Sequence, residues 1–62
     1  MNQLELIVKN IDERIADLSI VLCSGRAATF EEYKHLCGEI RGFERSKLLA
    51  LELKNIQDRQ DD

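Results

Sequence analysis

The chain has no proline, no tryptophan and only three glycines among its 62 residues. Because proline breaks helices, its absence allows long uninterrupted ones. No apolar run reaches the roughly 18 uncharged residues that a membrane-spanning helix needs, and no basic segment followed by an apolar block indicates a signal peptide. Two cysteines and one histidine are too few for a structural zinc site, which takes four ligands. The composition therefore predicts a helical protein with no metal, no cofactor and no membrane segment.

Charge and hydropathy narrow the class of protein further. Hydrophobic residues make up 44% of the chain and charged residues 34%, a mixture too apolar for a disordered segment. The net charge is −3, whereas binding to a phosphate backbone favours a basic face. A chain of this length forms one domain at most. We expect a small folded domain in a reducing cytoplasm, with nucleic acid disfavoured as its main partner.

The strongest pattern in the chain is an apolar repeat in its first third. Its members follow one another at spacings of 4, 3, 4, 3 and 4 residues: Leu4, Val8, Ile11, Ile15, Leu18 and Leu22. Two apolar positions per heptad are typical of a helix that packs along another helix. Asn2 is a suitable N-cap, with Glu5 three residues later, and Gly25 suits the left-handed position that ends a helix. The pattern predicts a first helix over about residues 2–23 and a turn over about residues 24–29.

A capping box opens the second predicted helix. The Thr29 hydroxyl can accept a hydrogen bond from the Glu32 N–H, while the Glu32 carboxylate can reach back to the Thr29 N–H. This helix is predicted to run over about residues 30–57. Because a short connection makes consecutive helices antiparallel neighbours, the predicted fold class is all-α: an antiparallel two-helix hairpin forming a single domain over residues 1–62.

Folding the chain about residues 26–28 predicts which residues of the two helices meet. The predicted layers are Leu22 with Tyr33, Leu18 with Leu36 and Cys37, Ile15 with Ile40, Ile11 with Phe43, Val8 with Lys47, and Leu4 with Ala50. Lys47 can occupy such a layer because its stem can lie on apolar surface while its ammonium group reaches water. On this alignment the first helix ends beside Ala50, and the rest of the second helix extends past it.

Several apolar residues have no place in a lone hairpin. Leu6, Ile20 and Val21 lie off the repeat of the first helix, and a second set spreads around the second helix: Leu48, Leu49, Leu51, Leu53 and Ile56. Clustered exposed apolar residues mark interfaces, and small scaffolds usually need a partner or a second copy. We therefore expect oligomerisation or docking on a larger protein through Leu49, Leu51, Leu53 and Ile56. The alternative is that the second helix curls and hides some of these residues itself.

Small residues recur every four positions in the second helix, at Gly38, Gly42, Ser46 and Ala50. A row of small side chains lets another backbone approach closely. Gly38, Gly42 and Ser46 are therefore candidate partner-binding residues, in contact either with the first helix or with a neighbouring subunit. The alternative is that the two glycines have no packing role. Each would then simply lower helix stability by about 1 kcal/mol relative to alanine.

The reactive side chains do not form a catalytic motif. His35 and Cys37 are two residues apart and point about 200° away from each other on a helix, which disfavours a metal site with Cys23. Cys23 and Cys37 flank the turn and are expected to be small buried hydrophobes, with a regulatory disulfide as the alternative. A two-helix chain also offers no pocket for a nucleophile, a base and an orienting group. We expect the protein not to be an enzyme and to have no catalytic, cofactor-binding or metal-binding residues.

The middle third of the chain carries a family resemblance. After the turn at Ser24 and Gly25 come Glu-Tyr-Lys at residues 32–34 and Cys-Gly-Glu-Ile-Arg-Gly at residues 37–42. This pattern resembles small helical-hairpin accessory proteins encoded among the head and tail genes of tailed bacteriophages. The resemblance implies a phage setting and an accessory role in the virion, assembled in the cytoplasm of the bacterial host. It implies no catalytic or ligand-binding residues.

Two functional hypotheses follow from the exposed apolar surface and the resemblance. The preferred one is a non-enzymatic accessory structural protein of a tailed-phage virion, oligomeric or docked on a larger virion protein. The alternative is a homodimeric four-helix-bundle regulator that binds a host or phage protein. Nucleic-acid binding through such a dimer is a third hypothesis, disfavoured by the negative net charge.

Overall fold

The computed structural model describes residues 2–60 and contains two helices that pack along each other. Helix α1 spans Gln3–Cys23 and helix α2 spans Phe30–Gln60. The molecule measures 51 × 18 × 12 Å, so it is a rod two helices wide. The predicted all-α hairpin is confirmed, and α2 continues three residues beyond its predicted end near Gln57.

Side-chain and backbone hydrogen bonds define the helix ends. The Asn2 side chain accepts from the Glu5 N–H at 2.8 Å, and Gly25 has φ +75, the left-handed conformation that suits glycine. Thr29 Oγ1 accepts from the Glu32 N–H at 3.1 Å, as the capping box predicts. The second half of that box differs: the Glu32 carboxylate accepts from the Ala28 N–H at 2.9 Å rather than from Thr29. The carboxylate therefore orders the residue before the cap as well as the helix start.

The contact between the helices is a heptad seam, as the apolar repeat predicts. In α1 every repeat residue is buried or half-buried, and Ile11 is the most buried, at 9% exposed. In α2 the matching residues have the same spacing: Leu36, Ile40, Phe43, Lys47, Ala50 and Lys54. Ala50 is the most buried of them, at 6% exposed. We refer to these two sets together as the seam.

The alignment of the two helices differs from the predicted layers by about one helical turn. Lys47 Nζ lies 2.8 Å from Asp12 Oδ1, and Lys54 Nζ lies 3.8 Å from Glu5 Oε1. Both pairs are one heptad apart along their helices, so together they define the register. Lys47 was predicted to meet Val8, and Ala50 to meet Leu4; both pairings are wrong, because α1 extends along α2 as far as Lys54.

The first turn of α2 causes this displacement. Phe30 and Tyr33 are 72% and 50% exposed, so the helix begins before it reaches the end of α1. The predicted layer of Leu22 with Tyr33 is therefore wrong. The two rings stack on each other instead, with centroids 6.5 Å apart, and Lys34 Nζ lies 5.4 Å from the centre of the Phe30 ring. About one turn of α2 therefore extends beyond the end of α1. This length matches the shift in register.

Candidate interaction surface

Exposed apolar side chains concentrate at the end of the hairpin opposite the turn. Seven large ones lie there, between 36% and 64% exposed: Leu6, Ile7, Leu48, Leu49, Leu51, Leu53 and Ile56. We refer to these seven residues as the open-end patch. Residues 48–51 are four consecutive apolar positions, so this turn of α2 is apolar on every side, which is typical of a helix surrounded by protein. In the hairpin α2 has one neighbouring helix, so most of that surface faces water.

Part of the open-end patch is contributed by α1, and the predicted alignment missed this. Leu4 and Ile7 line a groove together with Leu53 and Ile56, bordered by the polar residues Asn2, Gln3, Gln57 and Gln60. The prediction that α1 ends near Ala50 is therefore wrong, and Leu53 and Ile56 are only about half exposed, at 47% and 49%. Ile7 was not singled out from the sequence because it precedes a seam residue and breaks the repeat. Only the observed register brings it beside Leu53.

The row of small residues does not lie against α1 as a unit. Ala50 is buried in the seam, but Gly38, Gly42 and Ser46 are exposed, and a Cβ at either glycine would meet nothing within 4 Å. A four-residue step turns about 40° too far for a straight row, so the row winds away from the seam. The hypothesis of close contact with α1 is thus wrong for these three residues. They remain predicted partner-binding residues for another chain.

A second heptad pattern on α2 joins the small residues to the open-end patch. Spacings of 4, 3, 4 and 3 connect its members, all of them exposed: Gly42, Ser46, Leu49, Leu53 and Ile56. We refer to these five residues as the second stripe. Each of its first four members precedes a seam residue by one position, which places the stripe about 100° around the helix from the seam. Six of the seven predicted partner-binding residues are on the stripe or adjoin it, while Leu51 lies on the other side of the seam.

Polar groups flank the second stripe and leave its centre uncharged. At the turn end His35 Nε2 lies 2.6 Å from Glu39 Oε1, and Glu39 helps to line a shallow groove with Gly42, Phe43 and Ser46. The Ser46 hydroxyl donates to the Gly42 carbonyl at 3.0 Å, so its hydrogen bond is made within the helix. The stripe therefore presents a half of small residues followed by a half of large apolar residues.

Fewer large apolar side chains are exposed outside the open-end patch. Val21 is half-buried beside His35 and Leu36, whereas Ile20 is 61% exposed. The prediction that both cysteines are buried is wrong for Cys23, which is exposed because it lies in the last turn of α1; Cys37 is half-buried, and both thiols are free. The seam explains this difference, since Cys23 follows the last seam residue of α1.

Within residues 2–60 the side chains that commonly bind metals do not cluster. No group of three or more histidine, cysteine or acidic residues in that range could hold a metal ion. No helix in the part of the chain that the structure describes is long and apolar enough to cross a membrane. No family model matches the chain, and no curated protein or solved structure matches it significantly.

Proposed function

We propose that this chain is a non-enzymatic protein that works by helix-mediated contact with other protein chains through its open-end patch. The observation that carries the proposal is the clustering of seven exposed large hydrophobic residues at one end of a rod-shaped hairpin. Fully burying a side chain of this size is worth about 1.5–3 kcal/mol relative to full exposure, and these seven, at 36% to 64% exposed, have roughly half of that free energy still to gain. Clustered exposed apolar residues of this kind are characteristic of interaction sites.

The setting proposed for this contact is the virion of a tailed bacteriophage. The support is the resemblance of residues 25–42 to small accessory proteins encoded among phage head and tail genes. In that setting the hairpin would be a structural accessory that is assembled in the host cytoplasm and retained in the particle, docked on a larger virion protein or on copies of itself. The same patch would serve the alternative, a homodimeric regulator of a host or phage protein.

A paired substitution tests the use of the patch. Leu53→Asp together with Ile56→Asp places two charges in the groove that these residues form with α1. We expect loss of association with retention of helical circular dichroism in the half of the hairpin near the turn. Ile20→Asp is the matched control, because Ile20 is more exposed than either residue, at 61%, and lies near the turn.

Purified particles test the setting. Mass spectrometry of virions from a producing strain should detect the wild-type chain and the Ile20→Asp control, but not the double variant. Incorporation of the double variant at the wild-type level would show that the patch is not the contact surface. Absence of the wild-type chain from particles would leave the regulatory alternative.

A further inference from the structure

The exposed area of the hairpin is larger than its mass predicts. Folded monomers of 7.2 kDa expose about 4,100 Å² by the usual relation between surface and mass, whereas this chain exposes 5055 Å². The excess of about 950 Å² is comparable to the roughly 800 Å² that each partner buries in a standard interface. The hairpin thus lacks about one partner's worth of buried surface.

The seam and the second stripe together give α2 the geometry of a bundle helix. In a four-helix bundle each helix packs against two neighbours at about a right angle to each other. The second stripe lies about 100° from the seam, so a helix seated on it would occupy the next corner of such a bundle. One corner is already filled by α1.

The order of residues along the second stripe is self-complementary. Its small half, Gly42 and Ser46, precedes its large half, Leu49, Leu53 and Ile56. We propose that a second copy of this chain occupies the second stripe, with the two α2 helices antiparallel and their two-fold axis passing near Leu49. This proposal rests on the proposed function and names the partner of one side of the open-end patch.

In this arrangement large residues of each copy lie over small residues of the other. Leu49 meets its own symmetry mate at the axis, Leu53 of one copy lies over Ser46 of the other, and Ile56 lies over Gly42. The open space at Gly42, where a Cβ would meet nothing within 4 Å, receives the isoleucine. Ser46 can be covered without losing a hydrogen bond, because its hydroxyl already donates to the Gly42 carbonyl.

Charged residues beside the second stripe favour a two-fold axis near Leu49 over one near Ser46. Arg45 and Glu52 are exposed, seven residues apart, and border the stripe on the side away from the seam. A two-fold axis near Leu49 places Arg45 of each copy opposite Glu52 of the other. An axis near Ser46 would instead place Arg45 opposite Arg45, and Glu52 opposite Gly38. Like charges across an interface disfavour that arrangement.

Two exposed apolar residues on different helices provide a matched test of the surface. Leu49 lies on the second stripe, whereas Ile20 lies on α1 near the turn and outside the open-end patch, and they are 58% and 61% exposed in the hairpin. Sedimentation equilibrium of the purified chain should show a dimer for the wild type and for Ile20→Asp. Leu49→Asp should raise the dimer dissociation constant at least about tenfold, since residues at an interface centre dominate affinity. A monomeric wild type, or a dimer lost by Ile20→Asp and kept by Leu49→Asp, would overturn the proposal.

A charge exchange tests the crossing point independently. Arg45→Glu alone and Glu52→Arg alone should each weaken the dimer, and the double variant should restore it to within a few-fold of the wild type. Two single variants that dimerise like the parent would overturn the axis near Leu49. A wild-type chain that stays monomeric in solution but is still incorporated into particles through the patch would overturn self-pairing and leave the proposed function intact. A stable dimer that never enters particles would instead support self-pairing and overturn the phage setting.

Discussion

At the scale of single residues, Thr29 holds the start of α2. Its Oγ1 accepts the Glu32 N–H at 3.1 Å, satisfying a donor that would otherwise have no intrahelical partner. We expect Thr29→Ala to lower the free energy of unfolding by about 1 kcal/mol and Thr29→Ser to change it little, because serine retains the accepting oxygen. Urea denaturation followed by circular dichroism measures both. Equal stability of the two variants would mean that the Glu32 carboxylate alone holds this end.

Replacement by alanine should have opposite effects on stability at Gly25 and at Gly38. Gly25 has φ +75, so Gly25→Ala forces a side chain into the left-handed region and should cost about 1 kcal/mol. Gly38 is in a regular helix with open space around its missing Cβ, so Gly38→Ala should stabilise by about 0.5–1 kcal/mol. Thermal melts of the two variants should therefore shift in opposite directions. A destabilised Gly38→Ala variant would indicate that the position is covered in solution.

At the scale of the helices, the seam carries the stability of the hairpin. Ile11 is its most buried large residue, at 9% exposed, so Ile11→Ala should cost about 2–3 kcal/mol. Ile15 and Ile40 are half-buried and should cost less. Ile20→Ala, at a 61% exposed site, should stay within about 0.5 kcal/mol of the parent. Similar losses at Ile11 and Ile20 in denaturant melts would contradict the observed seam.

The sequence predicts membership of the seam well and its alignment poorly. The α1 repeat is uninterrupted, so the pattern alone identifies the buried face. Alignment depends on where α2 leaves the turn, and periodicity contains no information about that. The overhang of Phe30 and Tyr33 displaced every predicted layer by about one turn and hid the contribution of Ile7 to the open-end patch. The sequence predicts Leu49, Leu53 and Ile56 as partner-binding residues on one stripe. Their continuity with Gly42 and Ser46 was missed, because a row counted every four residues winds across two different faces.

At the scale of the whole molecule, stability should depend on protein concentration. Association of the folded hairpin stabilises it by mass action. The melting temperature of the wild type should therefore fall by several degrees on each tenfold dilution, whereas that of Leu49→Asp should stay constant. Scanning calorimetry or fluorescence melts over a hundredfold range measure this. A wild-type melting temperature independent of concentration would contradict self-association.

Lys47 favours one alignment of the two helices over slipped ones. It is the one charged residue between Leu36 and Ala50 in the α2 seam, and Asp12 lies 2.8 Å from its ammonium group. Sliding α2 by one turn would move that charge opposite apolar side chains, so the lysine penalises slipped hairpins more than the native one. We expect Lys47→Leu to raise the melting temperature while broadening amide NMR signals, because more than one alignment becomes populated. A sharper spectrum would show that the turn by itself selects the alignment.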